Sequence, residues 1–314
     1  MMNAIAMLAQ AHQQSNCRQY RREVSLVAAS PTMRRRRLAA ELRKLRTEAG
    51  LTAEQVVARL GWQASKLSRI ENRQAGITTS DLRKLLDVYN IDDRAYCAAL
   101  LDMARRAGER GWWQTYGGGV VPEALATLIG LEEEARTIRG YEPELVPGLL
   151  QTETYARAVM GAWGLPRSPG DIDRRIEVRL GRQQVLERAD APQVSFILNE
   201  AVLRRPVGGH AAMREQIEHL AGERPNVVVQ IHPFDTGPHP AMTGPFQMVT
   251  FHDVDDLGLV YVEGRMSGYM LEKPEQIREY DQIWGALQAS ALSPEDSRVM
   301  MKSYALIFSR CGPM

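Results

Sequence analysis

The stretch Leu51-Thr52-Ala53-Glu54-Gln55-Val56-Val57-Ala58-Arg59-Leu60-Gly61-Trp62-Gln63-Ala64-Ser65-Lys66-Leu67-Ser68-Arg69-Ile70-Glu71-Asn72 reads as two short helices joined by a tight turn. Thr52 carries the hydroxyl of an N-cap, and Gln55 follows at the spacing of a capping box. Gly61 sits where the chain must turn, and a glycine adopts a left-handed backbone cheaply. Val56, Leu60, Leu67 and Ile70 recur at helical spacing and would lock the two helices together. The outer face of the second helix then shows Gln63, Ser65, Lys66 and Arg69. Arginine can grip guanine with two parallel hydrogen bonds, and Ser or Gln can donate or accept at base edges.

Working outward, Leu38, Leu42 and Leu45 predict a helix from about Arg36, stopped at Gly50. Downstream, a helix is expected from Ser80 or Asp81 and another from about Asp92 to Ala107, which makes a five-helix unit. Residues 1–32 are polar and aperiodic, with Pro31 as a breaker, and read as a disordered extension. The unit is therefore drawn at 33–110, a glycine-rich linker at 111–119 and a second domain at 120–310. The Trp112-Trp113 pair is expected to pack at the junction.

Charge separates the two parts. Residues 31–76 hold eleven Lys/Arg against four acids, whereas residues 111–314 hold 19 basic and 27 acidic residues. One short segment suits a polyanion and the long remainder does not. Arg34–Arg37 reads either as an arm into a neighbouring groove or as a flexible basic tail.

On these residues the chain resembles the XRE (lambda-repressor-like) helix-turn-helix family over about residues 36–90. The resemblance implies that the helix from Gln63 enters the major groove of double-stranded DNA. Ala64, Ser65 and Arg69 fall where that family reads bases, and Thr52, Lys66, Asn72 and Arg73 where it touches phosphates. Arg46 and Glu71 fall where it holds a structural ion pair. The chain departs at Ala53, often Gln in the family, and at Val57, usually a small residue.

Behind this unit, helical patterns cover about 123–138, 152–162, 171–188, 209–221, 274–290 and 294–304. Strands are expected at Val194–Leu198, Val227–Ile231, Phe246–Phe251 and Leu259–Val262, the last two joined as a hairpin through Asp253–Gly258. The fold expected is mainly α with a smaller α+β part: the five-helix unit, then an α/β domain with a small mixed sheet. Residues 111–310 resemble the domain behind such modules in many actinobacterial XRE-type regulators, at Gly130-Leu131-Glu132, Tyr141–Thr152, Ala201–Gly209 and Gly244-Pro245-Phe246. Members of that group resemble antitoxin-like regulators, which implies a small protein partner or a small-molecule ligand.

No catalytic constellation emerges, so no enzyme, cofactor or metal is expected. His232 and His239 flank Asp235 in a loop, either as a conceivable metal site or as ordinary loop histidines. Glu200, Arg204 and Arg205 read as an anion pocket or as a surface ion-pair cluster. Gly208-Gly209 lacks the spacing of a phosphate loop. Cys17, Cys97 and Cys311 lie far apart, which fits a reducing compartment. With no long apolar run and no convincing secretory leader, the expectation is a cytoplasmic, nucleoid-associated transcription regulator, acting as a homodimer and without a membrane anchor. An antitoxin-like role centred on a small protein partner, with autoregulatory DNA binding, is the alternative.

Overall fold

The computed structural model describes residues 30–109, 111–162, 169–252, 256–264 and 268–310. Most of the expected extension at 1–32 lies outside these residues, as do Cys17 and Cys311 and residues 253–255 of the expected hairpin turn.

The first domain is built from five helices: α1 (Pro31–Glu48), α2 (Ala53–Leu60), α3 (Ala64–Glu71), α4 (Thr79–Val88) and α5 (Arg94–Ala107). Their ends follow from local chemistry. Thr52 and Gln55 close a reciprocal box, Gln55 N–H donating to Thr52 Oγ1 at 3.3 Å and Thr52 N–H to Gln55 Oε1 at 2.9 Å. Gly61 ends α2 in the left-handed region at φ 64°. Thr78 caps α4 and Asp93 caps α5 through their side-chain oxygens. Leu38, Leu42, Leu45, Val56, Leu67, Ile70, Leu82, Leu85, Leu86, Tyr89 and Leu100 form one buried core.

Helix α1 begins five residues earlier than its leucine pattern indicates. Pro31 occupies the first turn, where a missing N–H costs nothing, and Ser30 accepts from the Met33 N–H at 3.3 Å. Met33 is buried in the core of the second domain, not the first. One helix therefore contributes to both cores.

The second domain carries a six-stranded sheet in the order β3-β2-β1-β4-β5-β6. The strands are β1 (Thr137–Glu142), β2 (Gln193–Asn199), β3 (Val227–His232), β4 (Phe246–Thr250), β5 (Leu259–Glu263) and β6 (Gly268–Leu271). β1, β2 and β3 are parallel neighbours, and β4, β5 and β6 continue antiparallel from the other side of β1. The parallel half needs crossovers. These are α7 (Glu153–Ala162) with α8 (Pro169–Gln183), then the short α9 (Ala201–Arg204) with α10 (Gly209–Ala221). Helix α6 (Glu123–Glu132) precedes the sheet, and α11 (Pro274–Ser290) and α12 (Pro294–Arg310) follow it. Ile138, Phe196, Leu198, Ile231 and Val249 share one core with Met213 and Ile217 of α10 and Met301 of α12. Tyr141, Ile197, Phe246 and Val260 pack on the other face against Trp284 and Leu287 of α11. Helices thus cover both faces of the sheet.

Two strands escaped the sequence reading. The helical pattern assigned to 123–138 stops at Glu132, and its last residues open β1. β1 contains Arg139 and Gly140, which blur its alternation, and β6 has four residues at the sheet edge. Gly140 is required by its neighbour, because a Cβ there would lie 2.5 Å from Cε1 of Phe196. Gly140→Ala is therefore expected to lower stability by about 1–3 kcal/mol, the cost of overpacking a full core. Urea unfolding measures this, and an unchanged midpoint would show that Phe196 can step aside.

Residues 111–119, read as a linker, contribute to the packing of the second domain. They form a short turn of helix (Trp112–Tyr116), and Trp113 is buried with Val120, Val121, Ile129 and Val178. Trp112 Nε1 donates to Glu133 at 2.8 Å.

Candidate nucleic-acid interface

The first domain presents a two-helix corner with a polar outer face. Val56 of α2 and Leu67 and Ile70 of α3 are buried in the shared core, so α3 is held by its inner side. Gln63, Ala64, Ser65, Ser68, Arg69 and Asn72 are exposed on its outer side. Ser65 and Arg69 stand four residues apart and share a face. Gln63 occupies the N-cap of α3 without a side-chain hydrogen bond to the helix.

Several expected phosphate-contacting residues already have partners. Thr52 is exposed, with its hydroxyl in the capping box. Asn72 Nδ2 donates to Ser68 Oγ at 3.1 Å. Lys66 Nζ lies 2.9 Å from Asp81 Oδ2 and 4.1 Å from the centre of the Trp62 ring. The Lys66 hydrogen bond holds the Asp81 carboxyl below its ordinary value. Arg46 and Glu71 form a two-pronged pair, Nε to Oε1 at 2.7 Å and Nη2 to Oε2 at 3.0 Å. Arg46 Nη1 also donates to the Leu51 carbonyl at 2.9 Å, tying α1, the start of the two-helix corner and the end of α3.

The basic run is neither an arm nor a tail. Arg34–Arg37 lies inside α1. Arg34 Nη1 reaches Glu109 at 3.1 Å and the Arg106 carbonyl at 3.2 Å, and Arg35 donates to the Ala107 carbonyl at 3.4 Å. Arg36 is buried and points at the second domain. Its Nε and Nη2 meet Asp256 Oδ2 and Oδ1 at 3.0 and 2.9 Å, and Nη2 also donates to the Gly258 carbonyl at 3.1 Å. Its Nη1 pairs with Glu272, and its guanidinium lies 5.3 Å from the centre of the Phe251 ring. Arg73, just past α3 at φ 65°, pairs through Nη1 with the same Glu272. Sequence reasoning missed this seam because its acids, Asp256 and Glu272, lie about two hundred residues downstream, in stretches with no motif.

The second domain gathers several titratable side chains. Rings of His232 and His239 lie 4.5 Å apart, and Tyr141 Oη is 3.2 Å from His239 Nε2. Burial holds both imidazoles below their ordinary value, and His232 also meets Ser290 and Thr236. Among the described residues, no group of three or more His, Cys, Asp or Glu is placed to hold a metal. Glu200 accepts from Arg204, Tyr304 and the Phe234 N–H, and Arg205 pairs with Glu144, so these residues form ion-pair clusters. A cavity of about 320 Å³ opens beside Trp112, Glu133, Arg182 and Arg188. Nearby, burial, with Glu263 adding to it, pushes the Glu142 carboxyl up to about 8. No helix among the described residues is long and apolar enough to cross a membrane.

Comparison with known families gives two matches. A helix-turn-helix domain family matches residues 37–96, and a domain of unknown function, DUF5753, matches residues 125–303. No curated protein and no solved structure matches the chain.

Proposed function

Since the chain belongs to the DUF5753 family and carries a helix-turn-helix domain ahead of it, we propose that it is a sequence-specific transcriptional regulator with α3 as its recognition helix. The observation that carries this reading is α3 itself, buried by Leu67 and Ile70 and presenting Ser65 and Arg69 outward within the most basic segment of the chain. In this reading Gln63, Ala64, Ser65 and Arg69 meet base edges in the major groove, while Thr52, Lys66, Asn72 and Arg73 meet phosphates. Lys66 would exchange Asp81 for a phosphate or bridge both. Arg46 and Glu71 hold the corner in shape. The protein acts on DNA in the cytoplasm, without a catalytic role, and the second domain serves dimerisation and the sensing of a ligand or partner. Two copies reading half-sites one helical turn apart, about 34 Å, would supply the specificity that one short helix lacks.

Arg69→Ala is expected to weaken the specific site by about 1–3 kcal/mol and to relax preference at one base pair. A binding titration on the duplex enriched from a randomised library, against variants at each position, measures both. Unchanged affinity and preference would show that α3 does not read the groove.

A second reading, an antitoxin-like protein whose main role is to bind a small protein partner, draws support from α12. Val299, Leu306 and Ile307 on that helix are 62, 60 and 52% exposed, an apolar set that suits another protein surface. Sedimentation of the purified chain distinguishes the occupants: self-association there favours the homodimer, and a monomer favours a foreign partner.

A further inference from the structure

The geometry points to an intramolecular competitor for DNA: Glu272 of the second domain occupies the Arg73 guanidinium that would otherwise meet a phosphate beside α3. This inference rests on the DNA-binding reading above and concerns how that surface is controlled.

Arg73 stands four residues after Arg69 and directly beyond the end of α3. A helix laid in the major groove has a phosphate row at each side, and a guanidinium at its end suits two phosphate oxygens. Here that group faces the second domain. The antiparallel register of β5 and β6 pairs Val260 with Leu271, which brings Glu272 alongside Leu259 and close to Gly258 and Asp256. Two acids from separate parts of the chain thus converge on α1 and the end of α3.

The two arginines at this seam are held unequally. Arg36 has both oxygens of Asp256, the Gly258 carbonyl and the face of Phe251 as well as Glu272. Arg73 has Glu272 as its paired carboxylate, an ion-pair contact without a formed hydrogen bond, and its Nη1 and Nε are both buried with no hydrogen-bond partner among the described residues. One carboxylate is shared between two guanidiniums, and the second of them is left incompletely satisfied. A phosphate offering two oxygens would complete it. Arg36 is therefore the anchor of the docked arrangement and Arg73 its point of release. An acid at this place also repels phosphate, so the docked state opposes DNA twice, by occupying a cation and by presenting a like charge to the ligand.

Glu272→Gln separates the two roles, because Arg36 keeps Asp256 and Gly258 while Arg73 loses its anion. The experiment measures binding of full-length wild type, Glu272→Gln, Arg73→Gln and the double variant to the duplex enriched from a randomised library by wild type or by Glu272→Gln. Circular dichroism confirms that each is folded. Glu272→Gln should bind roughly 3–10-fold more tightly than wild type, the range set by a part-exposed ion pair. In the Arg73→Gln background the same change should shift Kd by less than about 2-fold, because the competed group is gone. Equal binding by wild type and Glu272→Gln, or a gain that persists without Arg73, overturns the competitor and leaves the DNA reading standing. If neither protein enriches any duplex, the DNA reading itself falls and the competitor with it.

Discussion

Arg182→Met is expected to destabilise the second domain by about 3–5 kcal/mol, the range for removing one partner of a buried ion pair. Glu132 on α6 is 1% exposed, and the Arg182 side chain on α8 is 8% exposed. Arg182 holds both carboxylate oxygens at 2.5 and 2.6 Å, and Gln247 of β4 donates to Oε1 at 2.6 Å. Without the guanidinium, Glu132 keeps one neutral donor in a place water reaches poorly, and a buried carboxylate stripped of its cation is costly. Replacing both residues, as in Arg182→Met with Glu132→Leu, should recover most of the loss, because two apolar groups leave no charge stranded. Urea unfolding followed by tryptophan fluorescence measures this. A single variant as stable as wild type would mean that the pair is wetter than its geometry indicates.

Arg36→Met should have the second-largest effect, about 3 kcal/mol, and it should act on the joint between the domains. Methionine fills much of the space but leaves Asp256 without its cation. Burial alone would push the Asp256 carboxyl up, yet the hydrogen bonds and charge of Arg36 outweigh it and hold the group below its ordinary value. A carboxylate held low when docked stabilises the docked state above its free pKa, near 4, and loses that contribution as pH falls through the docked value. Docking should therefore be firm at neutral pH and weaken below about pH 4. Small-angle scattering between pH 6 and pH 3 should show wild type expanding as acid is added and Arg36→Met already expanded at pH 6. Equal radii for both proteins across that range would remove Arg36 from its anchoring role.

The first domain was legible because its elements announce themselves locally. Thr52 with Gln55, Gly61 and the spacing of Val56, Leu67 and Ile70 each fix one feature within a few residues, and all agree. The four longer-patterned strands of the sheet were legible for a similar reason, their β-branched and aromatic content. β1 was not, because Gly140 answers to the ring of Phe196, a partner more than fifty residues away that no local pattern contains. The candidate site divides the same way. Outward-facing Ser65 and Arg69 follow from helical phase alone. The run Arg34–Arg37 carries four identical charges, and nothing in it tells that Arg36 alone is buried against Asp256 and Glu272. Long-range ion pairs leave no periodic trace in a sequence.

The shared helix α1 also has a consequence in time. Arg36 and Glu272 are separated by 236 positions. A ribosome adding about 5–20 residues per second needs on the order of ten to fifty seconds to make that interval. The five-helix unit has its own core and can close early in this window. Until the last strands emerge, it is a small basic body with Met33 bare and with Arg36 and Arg73 unclaimed by the acids still to be made. Newborn chains would then be at their stickiest toward nucleic acid before they are finished, and completion of synthesis would itself quench that phase.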